Sequence, residues 1–527
     1  MPELQLNSGP QDALLYDNTR SYFTNVGYVR TSNFQLELRD VDPQNEATLG
    51  STVQFVIPKA ADLLGPVDLV LDLAEAKSDS GSATQFTAWV EAVGFAMIEE
   101  IVFSVGTHTI ETITGDQLNI INELMTNDSQ RLGRETILKT GHPSVYTQLN
   151  TTSVFQYRRD QSEPNRVITF GESSLPAKSL IVPLGLFFTK HPSQYFPLAA
   201  ISGNDVRVSV KLRALRELVV MSAVDYTISN REIVSTTKAG VVNLPTFDGD
   251  PVVTGSCKLR CHYVHVTGPE KAVVMNKEHV RLLKLWQVNT NVVSPPPSAS
   301  KTRIASIDLS FLHPVAELII TVRKVSEMGS STSTDIKPAD SDQGAITKNY
   351  FAYHGGGSDP NVDSLRRRYR GIGTVPGAVD SGTADDYMTI DNFKVTLNGK
   401  ERHPSLGSNS LDRNYLMNRL MPMLHSNATS VFSNVHGVGA VDAVSAAEFD
   451  VLSEAFDRKQ IYVYPFSLNP EGSNPSGAVN FSKVSHAKLD IEGTVTGSAG
   501  VEYRVDVYGV HYNWLQIRDG RALTSFS

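Results

Sequence analysis

The stretch IYVYPFSLNPEGSNPSGAVNFSKVSHAKL, Ile461 to Leu489, constrains this chain more than any other. Successive side chains of an extended strand point to opposite faces. Tyr462, Tyr464, Phe466 and Leu468 therefore share one side, and Ile461, Val463, Pro465 and Ser467 the other. A face made almost wholly of aromatic or branched groups must be covered, which places the strand inside a sandwich rather than on a wet edge. Asn469 and Pro470, with the Gly, Ser, Asn and Pro that follow, end it. Proline removes a ladder donor, and glycine admits left-handed turn geometry.

The same period of two recurs along the chain. Val206 to Arg213, VRVSVKLR, and Val501 to Val507, VEYRVDV, alternate strictly and read as half-buried antiparallel strands. Asn398-Gly399 is a tight-turn pair closing the run Phe393, Val395, Leu397. Helical signals are few. Asp116 is placed to cap a helix carrying Leu118, Ile121, Leu124 and Met125 on one side, and Ser445 with Glu448 forms a capping box before Phe449, Leu452 and Phe456. Both read as loop helices packed onto a sandwich. The chain is all-β in class, and 527 residues with 40% hydrophobic content suffice for large cores.

The segment Ile461 to Leu489 closely resembles a signature of the major capsid proteins of large icosahedral DNA viruses. There a Y-x-Y-x-F-x-L strand runs into a proline-rich turn, then P-S-G and N-F-S, matched here by Pro475, Ser476, Gly477, Asn480, Phe481 and Ser482. Other segments agree in order. Gly9 to Glu37 resembles the family's opening arm, with Tyr28, Arg30, Ser32, Asn33 and Phe34 in its Y-x-R-x-[ST]-N-F element. Trp89 to Met125 is similar to a strand pair and short helix, and Ile181 to Val210 to the end of a first jelly roll. FLHPVAELIITV at Phe311 and FKVTLNGKER at Phe393 resemble second-domain strands, and YRVDVYGVHYNWLQIRDGRALTSFS closes the chain as family members close.

The resemblance implies a double jelly roll, two consecutive β-sandwiches with long loops and a few short loop helices. It implies a homotrimer forming a pseudo-hexagonal capsomer, with neighbouring capsomers and minor and vertex (penton) proteins as partners and an inner viral membrane nearby but not spanned. We place an N-terminal arm at residues 1–25, the first jelly roll at 26–218, a linker region with its own strand-like pieces at 219–250 and the second jelly roll at 251–527. Insertions are expected at about 326–386, rich in Gly, Ser, Asp and Thr, and at 425–459. The alternatives are a carbohydrate-binding or glycan-cleaving β-sandwich protein and a minor capsid paralogue.

Charge and chemistry narrow the choice. A net charge of -9 and a pI near 5.8 oppose direct genome binding, because phosphate contacts need clustered Lys and Arg. The basic run Arg366, Arg367, Arg368, Arg370 around Tyr369 reads as a solvated loop or a subunit contact. The N-terminus MPELQLNSGPQDALLY lacks a basic n-region and an apolar h-region, so synthesis and assembly in the host cytoplasm are expected, with a place in the virion shell. The sequons at Asn127, Asn150, Asn427 and Asn480 then read as chance.

No catalytic, cofactor-binding or metal residues are assigned, and neither an enzyme activity nor a cofactor is expected. Phosphate loops, H-E-x-x-H, G-x-S-x-G and calcium-loop patterns are missing. The run Cys257, Cys261, His262, His265 invites a zinc reading. On a strand, however, the two cysteines stand about 13 Å apart, too far for one tetrahedral ion without a turn. Adjacent carboxylates such as Glu99 and Glu100, or Asp385 and Asp386, point to opposite faces, poor placement for a glycosidase pair.

Overall fold

In the computed structural model the described residues are 33–77, 86–126 except 91, and 174–325 except 176, 223, 230–231, 239–245 and 277. They continue with 351, 387–402, 411–412, 420–425, and 461–525 except 473 and 497–499. The expected arm, most of both insertions, the run Arg366 to Arg370, the Ser445 box and the sequons at Asn127, Asn150 and Asn427 lie outside them.

Eight strands build the first sandwich: β1 (Phe34–Val41), β2 (Thr52–Ile57), β3 (Leu63–Leu73), β4 (Ile98–Val105), β5 (His108–Thr114), β6 (Lys178–Pro183), β7 (Val206–Leu212) and β8 (Lys258–Val266). Eight more build the second: β9 (His279–Val293), β10 (Ser298–Asp308), β11 (Pro314–Lys324), β12 (Tyr387–Leu397), β13 (Lys400–Glu401), β14 (Ile461–Pro465), β15 (Ala487–Thr496) and β16 (Tyr503–Arg518). The sheets are ordered β1-β8-β3-β6 and β2-β7-β4-β5, then β9-β16-β11-β14 and β10-β15-β12-β13, with short strands added at their margins. In all four, the order is first, fourth, second, third in chain sequence, and neighbours run antiparallel. Eight strands in two such sheets make a jelly roll, and this chain contains it twice, each strand n of the first sandwich matching strand n+8 of the second.

Alternation explains the cores. Val206, Val208, Val210 and Leu212 of β7 are buried with exposed or half-buried residues between them. Phe103 of β4 meets Phe188 at 5.1 Å and Phe196 at 5.3 Å between ring centroids, an aromatic cluster filling the first sandwich. In the second, Tyr462 of β14 packs edge-on against Phe393 of β12 at 4.8 Å, tying its two sheets together. Asn398 and Gly399 both have positive φ and make the two-residue turn from β12 to β13.

Several expectations are corrected. β8 lies beyond the division drawn at Pro251, yet it hydrogen-bonds between β1 and β3. The chain thus completes its first sandwich only at Val266, and we draw the passage at the helix Gly268–Asn276. The stretch 219–250, expected as a linker region with strand-like pieces, contains paired strands: Val219–Ser222 pairs with Phe86–Trp89, Val224–Ser229 with Glu232–Lys238, and Thr246–Phe247 with Ala76–Lys77. Thr114, not Asp116, caps helix α1 (Gly115–Met125), exchanging hydrogen bonds with Gln117 of 3.3 and 3.0 Å. Ile120 is fully buried and Ile121 only partly, because α1 is covered on nearly every side. Gly115 starts this helix against the carbonyls of Phe95 and Ile98, where no Cβ fits.

Candidate assembly site

The polar half of an alternating strand normally faces water. Here it faces the other sandwich. Arg323 of β11 and Asp506 of β16 lie on the outer face of the β9-β16-β11-β14 sheet, two strands brought into register with Arg323 opposite Arg504. The Arg323 guanidinium donates to both carboxylate oxygens of Asp116, at 2.9 and 3.0 Å, and to Asp506 at 2.7 Å. All three side chains are at most 5% exposed. Asp506 also accepts from Arg504 at 2.8 Å and from the Thr290 hydroxyl at 2.7 Å. Asp116 belongs to α1, so this network joins the two jelly rolls. Burial alone would raise the Asp116 carboxyl, but Arg323, with Arg213 and Arg504 nearby, holds it below its usual range. Val501 to Val507 is therefore not a half-buried strand: Asp506, on its polar side, is as dry as Val505 and Val507.

A second network anchors the turn after β14. Pro465 ends that strand, so the aromatic row stops at Phe466 and Leu468 is 87% exposed instead of continuing inward. β14 stands last in its sheet order, an edge position, yet Ile461, Tyr462 and Val463 are buried. The turn closes on itself. Ser476 donates to the Asn469 carbonyl at 3.0 Å and accepts from the Asn469 N–H at 2.8 Å, and the Asn469 side chain accepts from the Gly472 N–H at 2.9 Å. Gly477, at φ +141°, sits where a Cβ would approach the Phe466 carbonyl oxygen to 2.9 Å. Asn480 accepts from the Ser482 N–H at 3.1 Å, and Ser482 accepts from the His313 N–H at 2.9 Å, pinning the segment to the start of β11.

Below this turn His425 bridges Glu317 of β11 at 3.0 Å and Glu471 at 2.9 Å, and Lys284 donates to the carbonyls of Pro470 and Gly472. Burial pushes the His425 imidazole down, but its hydrogen bonds to the two carboxylates and their charge outweigh it and raise it to about 9. These charged groups went unread in the sequence. The available signal was Glu317 and Arg323, six residues apart inside the apolar run ELIITVR and hence on one strand face.

The paired sandwiches have counterparts in known proteins. A family model for the major capsid protein N-terminus matches residues 21–264. The major capsid protein of Phaeocystis pouchetii virus is 24% identical, with 98% of each chain covered. That of Paramecium bursaria Chlorella virus 1 is 20% identical over 97% of this chain and 96% of the relative. The chain is similar over its whole length to the major capsid proteins of large DNA viruses, and its role is that of a structural capsid protein. Solved structures agree on the fold. The Faustovirus major capsid protein superposes with a TM-score of 0.58 at 12% identity, covering 97% of this chain and 94% of that one. A chain of the PBCV-1 virus capsid gives 0.59 at 15% identity, with 96% and 100% covered. Capsid proteins of this family are structural, not enzymes.

For a capsid protein the remaining question is which surfaces are left to meet others. Phe34, Leu36 and Leu38 of β1 form an apolar row 60%, 65% and 63% exposed. The residues of the zinc reading part company around it. Cys257 and Cys261 are buried, and burial pushes both thiols up to about 12. His262 lies 3.6 Å from Asp68, whereas His265 meets Glu37 at 2.8 Å. Among the described residues no three His, Cys, Asp or Glu side chains are grouped as a metal site. Glu99 pairs with Lys211 at 2.8 Å, a surface bond within the first sandwich.

Proposed function

We propose that three copies of this chain close into a pseudo-hexagonal capsomer and that such capsomers tile the faces of an icosahedral shell. The capsid role follows from the family. The trimer is supported by one observation above others: two sandwiches of identical strand order are locked together by a buried ion-pair network, so each chain supplies two similar blocks. Three chains then supply six, arranged around a threefold axis through heterologous contacts that close. Minor and vertex proteins are the further partners of this reading, and the host cytoplasm is its place of synthesis. Direct genome binding does not fit a net charge of -9. An inner viral membrane nearby, not spanned by this chain, belongs to the same reading; no helix among the described residues is long and apolar enough to cross a membrane.

Sedimentation of the purified protein tests the trimer. A single species near three times 57.6 kDa at low micromolar concentration, unchanged by chelator or moderate salt, is the expected result. A stable monomer at that concentration overturns it.

A further inference from the structure

Two histidines stand in segments whose role the capsid reading does not explain: His313 in FLHPVAELIITV and His511 in the closing YRVDVYGVHYNWL. The fold stacks them. Their rings lie 5.3 Å apart between centroids, with 27° between planes. His511, on β16, is 4% exposed, and its Nδ1 is buried without a hydrogen-bond partner. His313, just before β11, is half-buried and held at φ +69°, an uncommon conformation for a residue with a side chain.

The ground around His511 is apolar. Leu285 of β9 and Val315 of β11 stand opposite it. The Phe311 ring lies over Gly509, on the same face of β16, and meets Phe481 edge-on at 5.7 Å. The charged groups of the neighbouring elements are turned elsewhere. Lys284 and Glu317 fall on the opposite face of the sheet by alternation, where Lys284 bonds the carbonyls of Pro470 and Gly472 and Glu317 bonds His425. Arg281 donates to the Tyr195 carbonyl, and Lys483 is exposed. His313 is the ionisable neighbour that bears on His511. Burial pushes the His511 imidazole down from 6.5 to about 4, His313 adds to the fall, and the Gly509 backbone offsets only part of it.

The stack is built into the attachment of the signature turn. The His313 N–H donates to the Ser482 hydroxyl at 2.9 Å, and the His313 carbonyl accepts from the Phe481 N–H at 3.1 Å. Pro314 and Val315 pair with Asn480 and Val479, and Asn398 of the β12–β13 turn donates its N–H to the His486 carbonyl at 2.8 Å. A proton arriving on this pair finds a second imidazole and apolar walls, so a charged ring is relieved only by reaching water. We propose that the His313–His511 stack is an acid-sensitive latch: it holds residues 479–486 against the loop between β10 and β11 while its rings are uncharged and releases them when it is protonated.

The latch yields before the other buried networks do. The contribution of His511 to stability is intact above pH 6.5 and is lost as pH falls from there towards about 4. Over that range His425 keeps its proton between Glu317 and Glu471, and Asp116 keeps its charge opposite Arg323. Acid therefore loosens one end of the second sandwich while the two sandwiches stay joined.

Hydrogen exchange of the full chain, read by mass spectrometry, tests the latch. On going from about pH 7.5 to about pH 5, wild-type amides in residues 479–486 should open about tenfold more than the change in intrinsic exchange accounts for, while Val206–Leu212 of β7 stays protected. His511→Phe keeps an aromatic ring that takes no proton, and it should hold the segment equally at both values. If that variant fails to fold, His511→Gln takes its place, and the wild-type response still decides. Equal protection of 479–486 at both pH values in the wild type overturns the latch. So does loss of protection in either variant as large as in the wild type, or a loss spread evenly over both sandwiches.

Discussion

The outer faces of the β9-β16-β11-β14 and β1-β8-β3-β6 sheets share a topology and differ in their contact with water. On the first, Arg323 and Asp506 are at most 1% exposed; on the second, the Arg260 and Asp40 side chains are each 36% exposed. Both faces carry Arg–Asp pairs within 2.8 Å. The difference teaches that geometry alone does not set the worth of an ion pair. In water, solvent screening leaves an exposed pair about 0–1 kcal/mol. In a dry junction, removing one partner strands the other, which is where the large effects arise.

The widest separation between the two faces should come from Arg323→Ala. It leaves Asp116 and Asp506 buried without their shared cation, and a loss of about 3–5 kcal/mol is expected in urea unfolding. A loss under about 1 kcal/mol would show that water reaches the junction. Because the Asp116 carboxyl is held below its ordinary 3.8, its contribution is present above that value and lost as pH falls through the lower, folded one.

His425, in the second sandwich, gives the opposite pH response. Its value rises from 6.5 to about 9 on folding, so its stabilisation is complete below pH 6.5 and lost as pH climbs through 9. The stability gap between wild type and His425→Gln should reach about 3 kcal/mol at pH 6 and close by pH 10. A gap independent of pH would mean that the imidazole is not charged between Glu317 and Glu471.

Gly477→Ala should cost about 1–3 kcal/mol, since the turn holds it at φ +141° with no room for a Cβ. Thermal unfolding followed by tyrosine fluorescence would detect it, and an unchanged midpoint would show that the turn relaxes freely. Arg260→Ala should have the least effect, under about 1 kcal/mol and smaller still in high salt. A salt-independent cost of 2 kcal/mol or more in the assembled protein would instead reveal a covered face, and so break the comparison.

Much of the architecture was legible because its causes are local. The alternation of Val206 to Leu212 and the positive-φ pair Asn398-Gly399 each follow from a few adjacent residues, and both elements stand where the pattern puts them. Helix α1 was also legible, although its cap was displaced from Asp116 to Thr114. The signature turn was recognisable by its residues, but its chemistry was not. Asn469, Ser476 and Gly477 explain how it closes, whereas His425 and Lys284, which hold it down, bond to it from 46 and 186 residues away in sequence.

The chain's own sequence determined that it is a β protein, where strands turn, and which side of each strand is apolar, because backbone sterics and side-chain alternation act over neighbouring residues. Only the tertiary structure decided which polar faces stay wet. Asp506 on β16 and Arg260 on β8 read alike as the polar half of an alternating strand, yet one is sealed beneath α1 and the other lies open. It also moved β8 into the first sandwich, across the division drawn at Pro251. Both outcomes depend on which distant element packs against a strand, and burial is a property of that packing, not of any pattern a strand carries.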